Sequence, residues 1–166
     1  MPDLSEDQLD KLHQELILDE GLYLNVYVDT VGKRTIGVGR NIDDNPLTDE
    51  ENDHIGNKDI ESDGITKDDA MYLLDNDINK VISQLKSKLD FFDDLDPIRQ
   101  RVLIDLGFNM GVPGLLTFKN TLNFVRNGDY DSAAAGLTHS KWFNQVGVRG
   151  PRLVKMMKTG QDCITN

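Results

Sequence analysis

The chain has 166 residues, of which 38% are hydrophobic and 28% charged, a composition that supports a compact fold and excludes bulk disorder. Its formal net charge of −11 argues against nucleic acid as a partner, because neutralising phosphates requires a basic surface. No run approaches the roughly 18 apolar residues of a membrane span, and no cleavable export signal is visible at the N-terminus. The one cysteine, Cys163, cannot form an internal disulfide and predicts synthesis in a reducing compartment.

The charge is distributed unevenly along the chain. Residues 1–100 contain 25 acidic and 10 basic residues, whereas residues 101–166 contain 4 acidic and 8 basic residues. The first segment is therefore strongly negative and the second is positive. We expect the C-terminal segment alone to attract an anionic polymer.

Sequence signals for the start and the end of a helix lie at Ser5 and Gly21. Ser5 is a predicted N-cap with Gln8 as its capping-box partner, and Gly21 predicts a helix stop just after Glu20. The apolar residues between these signals recur at helical spacing: Leu9, Leu12 and Leu16. The first helix is thus expected to end at Glu20.

A strand–turn–strand pattern follows this helix. Residues 23–29 are partly β-branched and aromatic, and residues 33–39 form a second such run after a turn that contains Gly32. Residues 41–64 are polar and acidic, which predicts a surface lobe with only short elements.

A second, longer helix is predicted to begin at Thr66, with Asp69 completing a looser form of the capping box. Its apolar face continues for about five turns, which is long for a chain of this size. The residues of that face are Ala70, Leu73, Leu74, Ile78, Val81 and Leu85. Glycines and prolines divide the chain beyond Pro97 into shorter helices, so the predicted class is α+β.

Motifs for metals and cofactors are incomplete. Four residues match the start of a calcium loop, Asp59, Glu61, Asp63 and Gly64, but Ala70 occupies the position that needs a bidentate glutamate. The three histidines lack zinc-ligand spacing, and the Gly-x-Gly at residues 37–39 lacks the third glycine of a dinucleotide site. The sequence predicts neither a metal nor a cofactor.

Two carboxylates lie where glycoside cleavage would need them. Glu20 closes a predicted helix and Asp29 begins a predicted turn, and a helix end and a hairpin can face each other across a cleft. One carboxyl then protonates the leaving oxygen while the other activates water or attacks the sugar. With 29 acidic residues in the chain, however, any two chosen carboxylates are in most cases surface residues, and the pattern alone favours that interpretation.

Several blocks in the same order resemble the phage-type lysozymes, the T-even phage lysozyme-like family of glycoside hydrolases, also called endolysins. The blocks are Asp-Glu-Gly at 19–21, Asp-Thr-x-Gly at 29–32, Thr-Ile-Gly-x-Gly at 35–39, Gly-Ile-Thr-Lys-Asp at 64–68, Phe-Asn-Met-Gly at 108–111 and Ser-Lys-Trp-Phe-Asn-Gln at 140–145. The resemblance extends over roughly residues 12–163.

The resemblance implies a lysozyme-like α+β fold, with a small β-containing lobe and a larger helical lobe joined by a long helix and a cleft between them. It implies one domain over residues 1–166. Within it the β-lobe covers about 21–65, the inter-lobe helix about 67–88, and the helical lobe 1–20 and 89–166.

The implied activity is hydrolysis of the β-1,4 bond between N-acetylmuramic acid and N-acetylglucosamine in peptidoglycan, with inversion. Glu20 matches the general acid, and Asp29 and Thr35 match the residues that activate water. Implied substrate-binding positions are Asn41, Phe108 and Thr121, and implied supporting positions are Arg149, Arg40 and Asp77. Arg149 falls where the family pairs an arginine with the catalytic glutamate.

Some positions depart from the family pattern. Arg40 replaces a common histidine and is predicted to pair with Asp77, in a charge link that does not switch off between pH 5 and 8. Gly136 stands where the family has a substrate-contacting asparagine, Asn41 replaces an apolar residue, and Thr121 replaces a serine. The negative net charge also differs from the best-known relatives, which are basic.

Alternative functions on the same fold are a catalytically inactive peptidoglycan-binding module, a chitin-type glycan hydrolase and a tail-associated enzyme. The expected partner is the peptidoglycan glycan strand, with no nucleic acid, no membrane span and a monomeric state. We expect synthesis in the host cytoplasm, and action on the cell wall after release by a separate membrane-permeabilising protein.

Overall fold

The computed structural model describes residues 4–163, which form mostly helices and one small antiparallel sheet. The strands are β1 (Tyr23–Val28), β2 (Arg34–Gly37) and β3 (Arg40–Asn41). The helices are α1 (Glu6–Glu20), α2 (Asp49–His54), α3 (Ile60–Asp63), α4 (Lys67–Lys88), α5 (Pro97–Met110), α6 (Val112–Leu115), α7 (Lys119–Arg126), α8 (Tyr130–Thr138), α9 (Lys141–Gln145) and α10 (Arg149–Thr159). The predicted α+β class is confirmed.

The chain divides into two units, each with its own packing. The β unit comprises residues 13–79, and the helical unit comprises the described residues up to Leu12 and from Lys80 onward. Among the helices within residues 4–163, none combines the length and the apolar character of a membrane span.

The ends of α1 follow the predicted signals. The Ser5 hydroxyl accepts a hydrogen bond from the Gln8 amide at 3.2 Å, which satisfies one of the free amides of the first turn. At the other end, Gly21 adopts a positive φ of 79° and its amide donates to the Ile17 carbonyl at 2.8 Å. A glycine in this conformation ends a helix without steric strain, so α1 stops at Glu20.

The sheet of the β unit has the order β1-β2-β3, with antiparallel pairs throughout. β1 and β2 form the predicted hairpin, and β3 is a two-residue strand that the sequence pattern did not indicate. As predicted, α4 begins with a capping box: the Thr66 amide donates to Asp69 Oδ2 at 3.0 Å, and the Asp69 amide donates to the Thr66 hydroxyl at 3.1 Å. The core of the unit is apolar and consists of Ile36, Ile42, Ile55, Ile65, Ala70 and Leu73.

The helical unit is built around α5, whose residues from 100 to 107 are buried. The side chain of Arg101 is fully buried, and its Nη1 donates to Gln8 Oε1 at 2.8 Å and to Asp162 Oδ2 at 3.2 Å. The Trp142 indole donates to Asn109 Oδ1 at 2.8 Å, which joins α9 to α5. These bonds satisfy polar groups that burial would otherwise leave unpaired.

A buried arginine joins three elements of the β unit. Arg40 is 4% exposed, and its guanidinium donates to Asp77 Oδ1 at 3.1 Å, so the predicted ion pair is confirmed. A shorter pair, with Glu51 Oε1 at 2.7 Å, was not predicted. Two further bonds go to the carbonyls of Asn45 and Pro46. β3, α2 and α4 therefore share one charged centre.

Glu51 also completes the N-terminal capping box of α2 with Thr48. Burial alone would raise the pKa of its carboxyl, but the hydrogen bonds from Arg40, Asn76 and the Thr48 amide outweigh burial and lower the pKa from 4.5 to about 2. The ionised form is thus strongly preferred in the folded protein.

Replacing Arg40 by alanine would leave Glu51 and Asp77 without the guanidinium in a buried setting. We expect a loss of about 3–5 kcal/mol in the free energy of unfolding, the range for breaking a buried pair. Arg34→Ala is the matched control, because Arg34 pairs with Asp43 and Glu61 with its side chain 47% exposed. Urea titration should show a clearly smaller loss for the control, and equal losses would contradict the assigned role of Arg40.

The lowered pKa of Glu51 predicts acid sensitivity. Because the folded protein binds this proton less readily than the unfolded chain, the stabilisation is complete above about pH 4.5 and is lost as the pH falls toward about 2. Urea titrations at several pH values in this range give the free energy of unfolding at each pH. This free energy should change less with pH for Glu51→Gln than for the unmodified protein. The same pH dependence of the free energy of unfolding in both proteins would show that Glu51 does not cause the acid sensitivity.

Candidate active site

Glu20 is the last residue of α1 and is half-buried. The turn between β2 and β3 approaches it closely: a Cβ built at Gly39 would lie 3.2 Å from Cγ and Cδ of Glu20. Gly39 also has a φ of +68°, which side-chain-bearing residues rarely adopt. The second glycine of the Thr-Ile-Gly-x-Gly block is therefore needed for this contact with Glu20.

Asp29 is fixed by the turn that it begins. Its Oδ1 accepts hydrogen bonds from the amides of Val31 at 3.0 Å and Lys33 at 2.8 Å, and its own amide donates to the Lys33 carbonyl at 2.9 Å. Within residues 4–163, the other oxygen, Oδ2, accepts no hydrogen bond. The side chain is thus oriented through one oxygen, and the second is available to a ligand or to water.

Thr35 lies on β2, opposite Tyr27 of β1 and Asn41 of β3, and is 3% exposed. Its hydroxyl donates to the Lys33 carbonyl at 3.1 Å. Because a hydroxyl has one hydrogen and two lone pairs, Thr35 can still accept a hydrogen bond.

Tyr27 lies in the electrostatic field of both carboxylates. Burial raises the pKa of its phenol most strongly, followed by the nearby Tyr23 and by the charges of Glu20 and Asp29. Tyr27 itself lies opposite Thr35 in the sheet, and the charges of both carboxylates contribute to the raised pKa of its phenol. Sequence reasoning did not single out Tyr27, although its position two residues before Asp29 on a predicted strand was a usable signal.

The other residues predicted in the β unit have structural partners. Arg40 and Asp77 belong to the buried centre with Glu51. The Asn41 side chain accepts hydrogen bonds from the amides of Asp43 and Asp44, both at 3.0 Å, and so stabilises the turn after β3. A contact between Asn41 and substrate stays a prediction.

The remaining predicted residues lie in the helical unit. Phe108 is half-buried on α5, and Arg149 is 5% exposed on α10, where its Nε donates to Asp105 Oδ1 at 2.8 Å. Thr121 is buried on α7, and a Cβ built at Gly136 of α8 would lie 2.5 Å from its hydroxyl oxygen. The roles of Phe108, Thr121 and Arg149 toward substrate and Glu20 stay predictions.

The close approach of Gly39 to Glu20 predicts a specific cost of substitution. Gly39→Ala adds a methyl group against the glutamate and strains a positive φ, whereas Gly32→Ala strains a φ of +86° with nothing within 4 Å of its Cβ. Both variants should lose about 1 kcal/mol or more in the free energy of unfolding from backbone strain. We expect urea titration to show the larger loss for Gly39→Ala, and equal losses would mean that the contact with Glu20 is not constrained.

The chain is similar to known proteins over most of its length. A family model described as phage lysozyme matches residues 18–158. Probable T4-type lysozyme 1 of Dictyostelium discoideum is 30% identical over 154 residues, which cover 86% of this chain and 90% of that protein. Probable T4-type lysozyme 2 of the same organism is 27% identical over 160 residues, covering 90% of this chain and 94% of the relative.

A third relative is a larger protein. The pre-baseplate central spike protein Gp5 of Enterobacteria phage T4 is 30% identical over 152 residues, which are 86% of this chain but only 26% of the spike protein. The extent of these matches shows that the chain belongs to the phage lysozyme family and is a lysozyme-like glycoside hydrolase.

Proposed function

We propose that this protein is a muramidase that hydrolyses the β-1,4 bond between N-acetylmuramic acid and N-acetylglucosamine in bacterial peptidoglycan. The observation that carries this proposal is that one small sheet holds both carboxylates: Glu20 lies against Gly39 of the β2–β3 turn, and Asp29 is fixed in the turn between β1 and β2, next to Thr35 on β2. Glycoside hydrolysis commonly requires two carboxyl groups in different environments, one that donates a proton and one that activates water.

Glu20 is the proposed general acid. It is the final residue of a 15-residue helix, where the negative end of the helix dipole disfavours a second negative charge. Glu20 would donate its proton to the glycosidic oxygen as the bond from that oxygen to the anomeric carbon breaks.

Asp29 and Thr35 are the proposed pair that activates water. Asp29 Oδ2 can accept one hydrogen of the water, and the Thr35 hydroxyl can accept the other because its own hydrogen is donated to the Lys33 carbonyl. A lone pair of the water oxygen then points away from both residues, toward the anomeric carbon. As that bond forms, the water proton passes to Asp29. Asp29 then releases this proton to solvent, and solvent returns a proton to Glu20.

This mechanism inverts the anomeric centre, because water enters on the face opposite the departing oxygen. We expect the two carboxyl groups to lie roughly 6.5–9.5 Å apart, the separation that admits a water molecule. A separation near 5 Å is instead typical of a covalent, retaining route.

A tail-associated role is a second candidate, because one relative is a phage baseplate spike protein. The two Dictyostelium relatives, which are matched over 90% and 94% of their own length, support the free enzyme instead. For the free enzyme we propose a monomer made in the host cytoplasm, which reaches the wall after a separate protein permeabilises the membrane. The sacculus assay and product analysis described below also distinguish this enzyme from an inactive wall-binding module and from a chitin hydrolase.

The proposal predicts that Glu20→Gln abolishes hydrolysis while the protein stays folded. Glutamine keeps the shape of the side chain but cannot donate the proton, so clearing of purified peptidoglycan sacculi should slow by about 10²–10⁴-fold. Glu50→Gln is the matched control, since Glu50 is exposed on α2. It should clear sacculi at the unmodified rate.

The products of the unmodified enzyme test the bond and the stereochemistry. Mass spectrometry should find N-acetylmuramic acid at the new reducing ends, and proton NMR during the first turnovers should show the α-anomer. Glucosamine reducing ends, cleavage of chitin alone, or a Glu20→Gln rate within tenfold of the unmodified rate would each overturn the proposal. Absence of any cleavage would support the inactive wall-binding module.

A further inference from the structure

The first strand of the sheet contains an irregularity that pairs two tyrosines. Tyr23 is in register with Gly37 and Tyr27 with Thr35, so four steps along β1 correspond to two steps along β2. In a regular strand, residues four positions apart are about 13 Å apart. The rings of Tyr23 and Tyr27 nevertheless lie 4.3 Å apart between centroids, tilted by 44°. The two extra residues of β1 therefore bring the rings side by side.

This pair lies directly beside the proposed general acid. The Tyr23 ring covers Gly21, the residue that follows Glu20: a Cβ at Gly21 would lie 2.6 Å from Cε2 and 3.3 Å from the hydroxyl oxygen of Tyr23. Tyr27 in turn lies within the field of Glu20 and Asp29. Bulges are common next to active sites, where they redirect a side chain. Here the irregularity pairs two aromatic rings, one of which lies against Gly21, the residue next to the proposed general acid.

The pair is not explained by the core of the β unit. Tyr23 is 46% exposed, although its ring offers a large apolar face, and neither tyrosine belongs to the core cluster or to the residues packed against it. Exposed aromatic groups with a polar tip are typical of binding surfaces, since they offer contact area at a low entropic cost.

We propose that Tyr23 and Tyr27 form a sugar-binding subsite that holds a pyranose ring of the glycan next to the bond that is cut. This inference rests on the proposed function and names how the β unit recognises the glycan. A pyranose chair presents C–H groups on its faces and hydroxyl groups at its edge. The Tyr23 ring offers an apolar surface for a sugar face, and the Tyr27 hydroxyl offers a hydrogen bond to its edge.

Tyr27 keeps its proton at neutral pH, because the pKa of its phenol is raised above the ordinary value of 10. It can therefore donate to a sugar hydroxyl and also accept from one. A bound sugar would stand beside Glu20, so the subsite orients the glycosidic oxygen toward the acid. Tyr23 binds the sugar ring, Tyr27 binds the ring and positions it, and neither residue takes part in bond cleavage.

Binding to an inactive protein tests this subsite apart from catalysis. In the Glu20→Gln background, calorimetry would measure the affinity for a soluble, peptide-free tetrasaccharide of alternating N-acetylglucosamine and N-acetylmuramic acid. Tyr23→Ala should weaken binding by about tenfold, as for an aromatic residue central to a contact. Tyr23→Phe keeps the ring and should bind within about twofold of the parent protein.

The matched control is Val28→Ala, which removes a 65% exposed apolar side chain from the same strand. Its affinity should be unchanged. In the active enzyme, Tyr23→Ala should raise KM for the tetrasaccharide with little change in kcat, whereas a purely structural role would lower the unfolding temperature and reduce kcat together.

Tetrasaccharide affinity of Tyr23→Ala within twofold of the parent, or an equal loss for Val28→Ala, would overturn the subsite. If Tyr23→Ala does not fold, NMR titration of the Glu20→Gln protein decides: the ring signals of Tyr23 and Tyr27 must shift with added tetrasaccharide, and unshifted signals overturn the proposal. Failure of the proposed function is distinguishable, because it would appear in the sacculus assay as activity that survives Glu20→Gln or as cleavage of a different bond.

Discussion

Gly21 ends α1 by adopting a left-handed conformation, with its amide bonded to the Ile17 carbonyl. This one backbone constraint places Glu20 at a helix terminus and directs the chain at once into β1. The absence of a side chain at Gly21 leaves the space that the Tyr23 ring occupies, and the absence of one at Gly39 leaves space for the Glu20 side chain. Two glycines thus determine both the position of the carboxyl group and its neighbours.

Features set by local chemistry were accessible from the sequence. The caps at Ser5 and Thr66 and the stop at Gly21 depend on residues within a few positions of one another, and all three were predicted. The pair of Arg40 with Asp77 came from the family resemblance. The second carboxylate that pairs with Arg40, Glu51, was missed because a capping-box glutamate on a short helix gives no signal that its carboxylate also faces a buried arginine.

The tyrosine pair was missed for a different physical reason. Strand prediction assumes a period of two, and that period places Tyr23 and Tyr27 far apart along β1. The two additional residues that bring them together depend on how β1 pairs with β2, and register is a property of the sheet. The roles of Phe108, Thr121 and Arg149 likewise depend on tertiary contacts.

The acidic composition has a partial structural explanation. Several carboxylates accept bonds from backbone amides at helix starts, where the dipole favours negative charge: Asp59 of α3, Asp69 of α4, Asp96 of α5 and Asp129 of α8. The positive C-terminal segment is less exposed than its composition indicated, because Arg149 and Arg152 donate to the buried Asp105. The exposed cations of the segment are therefore mainly lysines, Lys119, Lys141, Lys155 and Lys158.

The contact of Thr121 with Gly136 also constrains how this chain can change over evolutionary time. Any side chain at position 136 would collide with the Thr121 hydroxyl, whose oxygen lies 2.5 Å from the site of its Cβ. An asparagine there, the residue that the family resemblance implies, requires the Thr121 hydroxyl to move or residue 121 to change. The two positions are therefore epistatic: a substitution at position 136 is tolerated only together with a change in the conformation or the identity of residue 121.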